Sequence, residues 1–105
     1  DGDTALIVAA RGGNCDVVEL LLKKGVDSSD SNNEGDTALI VAARKGNCDV
    51  VELLLKKGAD PSHSNDDGND ALFEAAREGH YDIVQLLLNN GADRSAATDR
   101  YKWLR

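Results

Sequence analysis

The side chains best suited to chemistry are two cysteines, two histidines and a series of acidic loops. Cys15 and Cys48 stand 33 residues apart in matching local sequence. A disulfide needs Cα atoms within about 7 Å. Helices with their side chains are about 10–12 Å wide, so equivalent positions on adjacent helices lie too far apart. Both thiols are therefore expected to be free, small and half-buried. A zinc site needs four converging ligands. His63 falls in a loop and His80 at a helix start, and neither converges on the cysteines. Asp30-x-Asn32-x-Glu34-Gly35 resembles the first half of a calcium loop, but its twelfth position is Val41 rather than the bidentate Glu such a loop requires. The loop opening at His63 does reach Glu74, yet it begins with the wrong ligand. The serine-rich stretch from Ser28 to Ser31 has no His or acid placed as a relay. Gly12-Gly13 ends a helix instead of following a strand, so it is not a phosphate loop. The expectation is no catalysis, no metal and no cofactor.

The elements that position these residues are repeated. Gly2-Asp3-Thr4-Ala5-Leu6 returns as Gly35-Asp36-Thr37-Ala38-Leu39 and again as Gly68-Asn69-Asp70-Ala71-Leu72, each time after 33 residues. Segments 1–33 and 34–66 agree at 27 of 33 positions, and segments 34–66 and 67–99 at 17 of 33. A fixed period of this length is the signature of a stacked array. Residues 100–105 are the start of a truncated fourth unit or a C-terminal tail.

Each unit predicts two short helices. Thr4 is a good N-cap, because its hydroxyl can accept from a free amide of the first turn. A helix from Ala5 to about Gly12 places Leu6, Ala9 and Ala10 on one stripe. Gly13 stops it. Asn14 is expected to cap a second helix, about Cys15 to Lys24, with Val17, Val18, Leu21 and Leu22 as its apolar set and Leu20 widening the stripe. Lys23 and Lys24 suit the negative end of the helix dipole. Residues 26–36 are rich in Asp, Ser, Asn and Gly and read as a loop with a turn. Two such helices cannot bury their apolar faces alone, but about three stacked units can.

The pattern Asp1-Gly2-x-Thr4-Ala5-Leu6-x-x-Ala9-Ala10-x-x-Gly13, followed by Val17-Val18-x-Leu20-Leu21-Leu22-x-x-Gly25-x-Asp27, resembles the ankyrin repeat. The resemblance covers residues 1–99 as three repeats, 1–33, 34–66 and 67–99. It implies an all-α solenoid of antiparallel helix pairs with β-turn fingers projecting sideways. Some positions depart from the family. Ala5, Ala38 and Ala71 replace its usual Pro, while Ile7, Ile40 and Phe73 replace its usual His. The Thr–His hydrogen bonds of the family should give way to apolar stacking. Ser29, Ser62 and Ser95 replace a loop Asn, which predicts weaker loop hydrogen bonding.

Composition narrows the function. Acids outnumber bases 19 to 12, for a net charge of −7. A general nucleic-acid binder needs a basic face, so none is expected. No apolar run approaches the roughly 18 residues of a membrane span, and no signal peptide opens the chain. These features read as an intracellular monomer, in the cytoplasm or the nucleus. Segment 1–33 carries no capping substitutions and should expose apolar surface at its outer edge. Tyr101 and Trp103 either fold back over the other edge or fray.

The resemblance implies a non-catalytic module that binds a protein or peptide through the concave groove and the fingers. The finger positions would be Asp1 and Asp3; Asn33, Glu34 and Asp36; Asp66, Asp67 and Asn69; then Asp99, Arg100 and Lys102. The groove positions would be Arg11, Arg44, Lys45, Arg77 and Glu78, with Val8, Val41 and Glu74 one turn earlier. Arg11, Arg44 and Arg77 recur every 33 residues and form either a basic ladder open to a partner or a set of ion pairs with acids such as Asp3 and Asp36. Tyr81 is expected to pack behind the second helix. The alternative is a structural segment of a longer array, or a designed scaffold without a dedicated ligand.

Overall fold

The computed structural model describes residues 2–91. The described residues form six helices: α1 (Ala5–Arg11), α2 (Cys15–Lys23), α3 (Ala38–Lys45), α4 (Cys48–Lys56), α5 (Ala71–Arg77) and α6 (Tyr81–Asn89). Among the described residues the only β pairing outside the helices is an isolated antiparallel bridge between Ser64 and Asp70. Asp1, the Asp99–Arg100–Lys102 finger, Ser95 and the tail with Tyr101 and Trp103 lie outside the described residues.

The helix starts follow from their caps. The side chains of Thr4, Thr37 and Asp70 accept from the amides of Ile7, Ile40 and Phe73, three residues on. α3 ends at Gly46, whose φ of +80° is the left-handed conformation that glycine adopts without steric cost. The second helices start differently from the sequence expectation. Asn14 and Asn47 make no side-chain bond to their own helix. Asn47 reaches across instead, donating from Nδ2 to the carbonyls of Ala10 (2.8 Å) and Arg11 (3.1 Å). His80 does the same one unit later, its Nε2 bonding the Arg44 carbonyl at 3.0 Å. These side chains bond carbonyls at the end of the preceding unit's first helix, where the last turn lacks its full set of helical partners; the Ala10 carbonyl also accepts from Gly13.

The layers are two rows of helices. α1 packs on α3 and α3 on α5; α2 packs on α4 and α4 on α6; each first helix also packs on its own second helix. The paired alanines form the contact of the first row, with Ala10, Ala42, Ala43 and Ala75 fully buried. Small residues let these helices approach closely. Ile7 and Ile40 are buried in the core where the family carries His, so apolar stacking takes the place of a polar network. The middle unit is enclosed on both sides: Val50, Val51 and Leu54 of α4 are buried, whereas in α2 only Val18 is. Full burial of a Val or Leu side chain contributes about 1.5–3 kcal/mol.

Candidate functional site

The fingers are organised by Asn32, which in the sequence stood out only as a position of the calcium-like pattern. Asn32 Oδ1 accepts from the amides of Glu34 (2.9 Å) and Asp36 (3.0 Å), while its backbone amide bonds the Asp36 carbonyl and its carbonyl accepts from Gly35. Asn65 repeats the arrangement with Asp67, Asn69 and Gly68. Each Asn also reaches back to the preceding finger: Asn32 Nδ2 donates to Asp3 at 3.0 Å, and Asn65 Nδ2 to Asp36 at 2.9 Å. The amide of Asp66 donates to the Glu34 carbonyl, so one finger is bonded directly to the next. The signal was available in sequence as an Asn three residues before each finger glycine.

The loop serines also hydrogen-bond more fully than expected. The amide and the hydroxyl of Ser29 both donate to Asp27, and those of Ser62 to Asp60. These bonds hold the Asp27 and Asp60 carboxyls below the usual aspartate range.

The arginines resolve into ion pairs. Arg11 meets Asp3 at 2.8 Å. That bond, with the Asn32 amide beside it, lowers the Asp3 pKa. Arg44 is shared, with a two-pronged contact to Asp36 at 3.0 and 3.1 Å and an Nε bond to Glu74 at 3.2 Å. Arg77 bonds the same Glu74 oxygen and lies 5.3 Å from the Phe73 ring centroid. Asn69 donates to the other Glu74 oxygen at 3.4 Å. The result is a chain of alternating charge, Asp36–Arg44–Glu74–Arg77, running across units two and three.

This geometry corrects several placements. Asp36 is 2% exposed and anchors Arg44 from below the surface, so it is not a finger-tip contact. Glu74 is 1% exposed and Val41 is buried, so neither lines an open groove; Val8 at 54% does reach solvent. The calcium reading at Glu74 fails because both of its oxygens already bond Arg44, Arg77 and Asn69. Tyr81 is not packed behind α6 but 74% exposed. Of the finger residues, Asn33, Glu34, Asp66 and Asp67 are exposed and Asp3 and Asn69 are half-buried. On the groove side Arg11, Lys45, Arg77 and Glu78 are exposed and Arg44 is half-buried.

Among the described residues no three His, Cys, Asp or Glu side chains are grouped to hold a metal ion. Cys15 and Cys48 are free and half-buried. Burial, with nearby carboxylates, pushes both thiols up, which disfavours the nucleophilic thiolate. No described helix is long and apolar enough to cross a membrane.

The sequence matches the family described as ankyrin repeats (3 copies) over residues 1–65, and a second description, ankyrin repeats (many copies), over residues 49–88. The chain belongs to the ankyrin-repeat family, and its fold is a solenoid of helix pairs. Members of this family generally serve as protein–protein interaction modules and are typically not enzymes. No curated protein matches the chain at a significant level.

Proposed function

We propose that this chain is a non-catalytic interaction module whose finger row and adjoining groove face hold a protein or peptide partner. The observation that carries the reading is the division of charge. Asp3, Asp36 and Glu74 are occupied by arginines, while the exposed side chains of Glu34, Asp66 and Asp67 form no ion pair among the described residues. Their backbones are tied together by the finger-to-finger bond, so the row is ordered before it meets a ligand. The partner segment is basic where it meets the fingers. Arg11 and Arg77, with side chains 40% and 47% exposed, remain available at the flanks to a partner carboxylate or ring.

The test is quantitative capture of partners from lysate, comparing wild type with a Glu34→Lys/Asp66→Lys/Asp67→Lys variant, with circular dichroism to show that both fold. A partner held by wild type and lost by the variant is the expected result. Equal capture by both rejects the finger row as the contact. Charge reversal of all three arginines is not a clean test, because Arg44 neutralises two buried carboxylates.

A further inference from the structure

The turn between α5 and α6 differs from its counterpart one unit earlier. Lys45, Asn47 and Cys48 of the second unit become Glu78, His80 and Tyr81 in the third, while the glycine and the following aspartate are kept as Gly79 and Asp82. An open cleft of about 350 Å³ lies here, between the starts of α4 and α6. Two of its lining residues, Gly46 and Gly79, have no side chain, and nothing stands within 4 Å of where a Gly79 Cβ would be. His80 forms a fixed wall. Its Nε2 bonds the Arg44 carbonyl at 3.0 Å, and its ring lies so close over Gly46 that an added Cβ there would stand 2.8 Å from Cε1. Tyr81 also lines the cleft but is 74% exposed, whereas its counterpart Cys48 is half-buried. Core packing therefore does not account for the ring. A tyrosine beside a cleft is the kind of anchor that dominates protein interfaces.

Charge identifies the occupant. Among the described residues Asp82 lines the cleft and no Lys or Arg does. Asp82, Asp49 and Glu52 all act on the cleft, since after burial it is these carboxylates that push the Cys48 thiol up. None of the three forms an ion pair among the described residues. A helix start carries only about half a positive charge. The full carboxylates of Asp49 and Asp82 in the first turns of α4 and α6 outweigh it, so the cleft favours a cation. We propose that this cleft is a docking site for an arginine of a partner protein, whose guanidinium stacks on the Tyr81 ring and bonds the Asp82 carboxylate. Arginine suits both contacts, because its planar group lies flat on an aromatic face and its N–H fork matches a carboxylate. The finger row precedes α5 and this turn follows it. The two surfaces therefore lie at opposite ends of the first helix, and neither depends on the other.

The probe is the peptide acetyl-Gly-Ser-Gly-Arg-Gly-Ser-Gly-amide, titrated at low salt into the isotopically labelled chain and followed by amide chemical shifts. The control is the same peptide with citrulline, the neutral isostere of arginine. Shifts from the arginine peptide should saturate in the millimolar range and concentrate at residues 46–48 and 79–83. The citrulline peptide should bind roughly tenfold more weakly. Tyr81→Phe should keep the affinity, because the cation meets the ring face. Tyr81→Ala and Asp82→Asn should each weaken it several-fold. Circular dichroism checks that the variants fold, as the exposure of Tyr81 leads one to expect. Equal response to the two peptides would overturn the proposal, as would an affinity unchanged in Tyr81→Ala or the absence of any saturable shift. Shifts that follow Glu34, Asp66 and Asp67 instead would also overturn it, by assigning the arginine to the fingers.

Discussion

Removing Arg44 strands the carboxylates of Asp36 and Glu74, whose side chains are 3% and 2% exposed. Losing one member of a buried ion pair typically costs several kcal/mol, because the remaining charge has lost its water as well as its partner. Arg44→Ala should therefore lower unfolding free energy by about 3 kcal/mol in urea denaturation. Glu74→Val, which restores the residue type found at positions 8 and 41, should cost no more than about 1 kcal/mol. The asymmetry arises because Arg44 keeps Asp36, and both arginines, 28% and 47% exposed, can turn to solvent. Pairing of Arg44 with Asp36 was one of the two readings open in the sequence, but the burial of Glu74 was not legible there. An acid that replaces Val on a helix reads as surface, and only the arginine of the preceding unit makes its burial tolerable. Acid sensitivity belongs with these residues as well. Asp3, Asp27 and Asp60 are held below the ordinary aspartate value near 3.9 by Arg11, Ser29 and Ser62 respectively. A depressed folded-state pKa gives stability that is complete above about pH 4 and lost as pH falls through the folded value. The melting temperature should thus decline below pH 4, and Asp27→Asn with Asp60→Asn should flatten that decline.

The finger turns depend on Asn32 and Asn65 more than on their exposed acids. Each Asn side chain holds two turn amides and one carboxylate of the preceding finger. The Asp36 amide is buried and would lose its acceptor. Asn32→Ala should cost about 2 kcal/mol and speed amide exchange at residues 34 and 36, while Asn33→Ala should change neither. The helices themselves were legible, since the capping residues and glycine stops recur with the period and act locally. The second-helix asparagines were not. Asn before a helix suggests a cap by local chemistry, but stacking brings the Ala10 and Arg11 carbonyls within reach of the Asn47 amide, while Asn14, which bonds no such carbonyls, leaves its own helix without a side-chain cap as well. Local propensity describes a unit in isolation, whereas this residue type serves either role.

Identical segments in different surroundings separate intrinsic preference from context. Val50→Ala should cost about 2 kcal/mol, combining lost transfer energy with a cavity. Val17→Ala, at the same place in the same helix sequence, should change stability by no more than about 0.5 kcal/mol. Chemical denaturation of the two variants checks this directly. The finger row carries a prediction for the assembled complex: association with a basic partner should slow steeply as salt rises, while dissociation changes little. The duplicated faces have one more consequence. Because the face ahead of the first unit matches the face ahead of the second, the stack has translational symmetry over this stretch. Inserting or deleting one 33-residue step there keeps the apolar helix faces of each junction, although loop positions such as Asp30 and His63 differ. Those helix faces therefore hold no record of how many units precede them. Glu74 breaks the symmetry: its junction alone, among those described, pairs a buried acid with the arginine beneath it, and so marks a fixed position in the array.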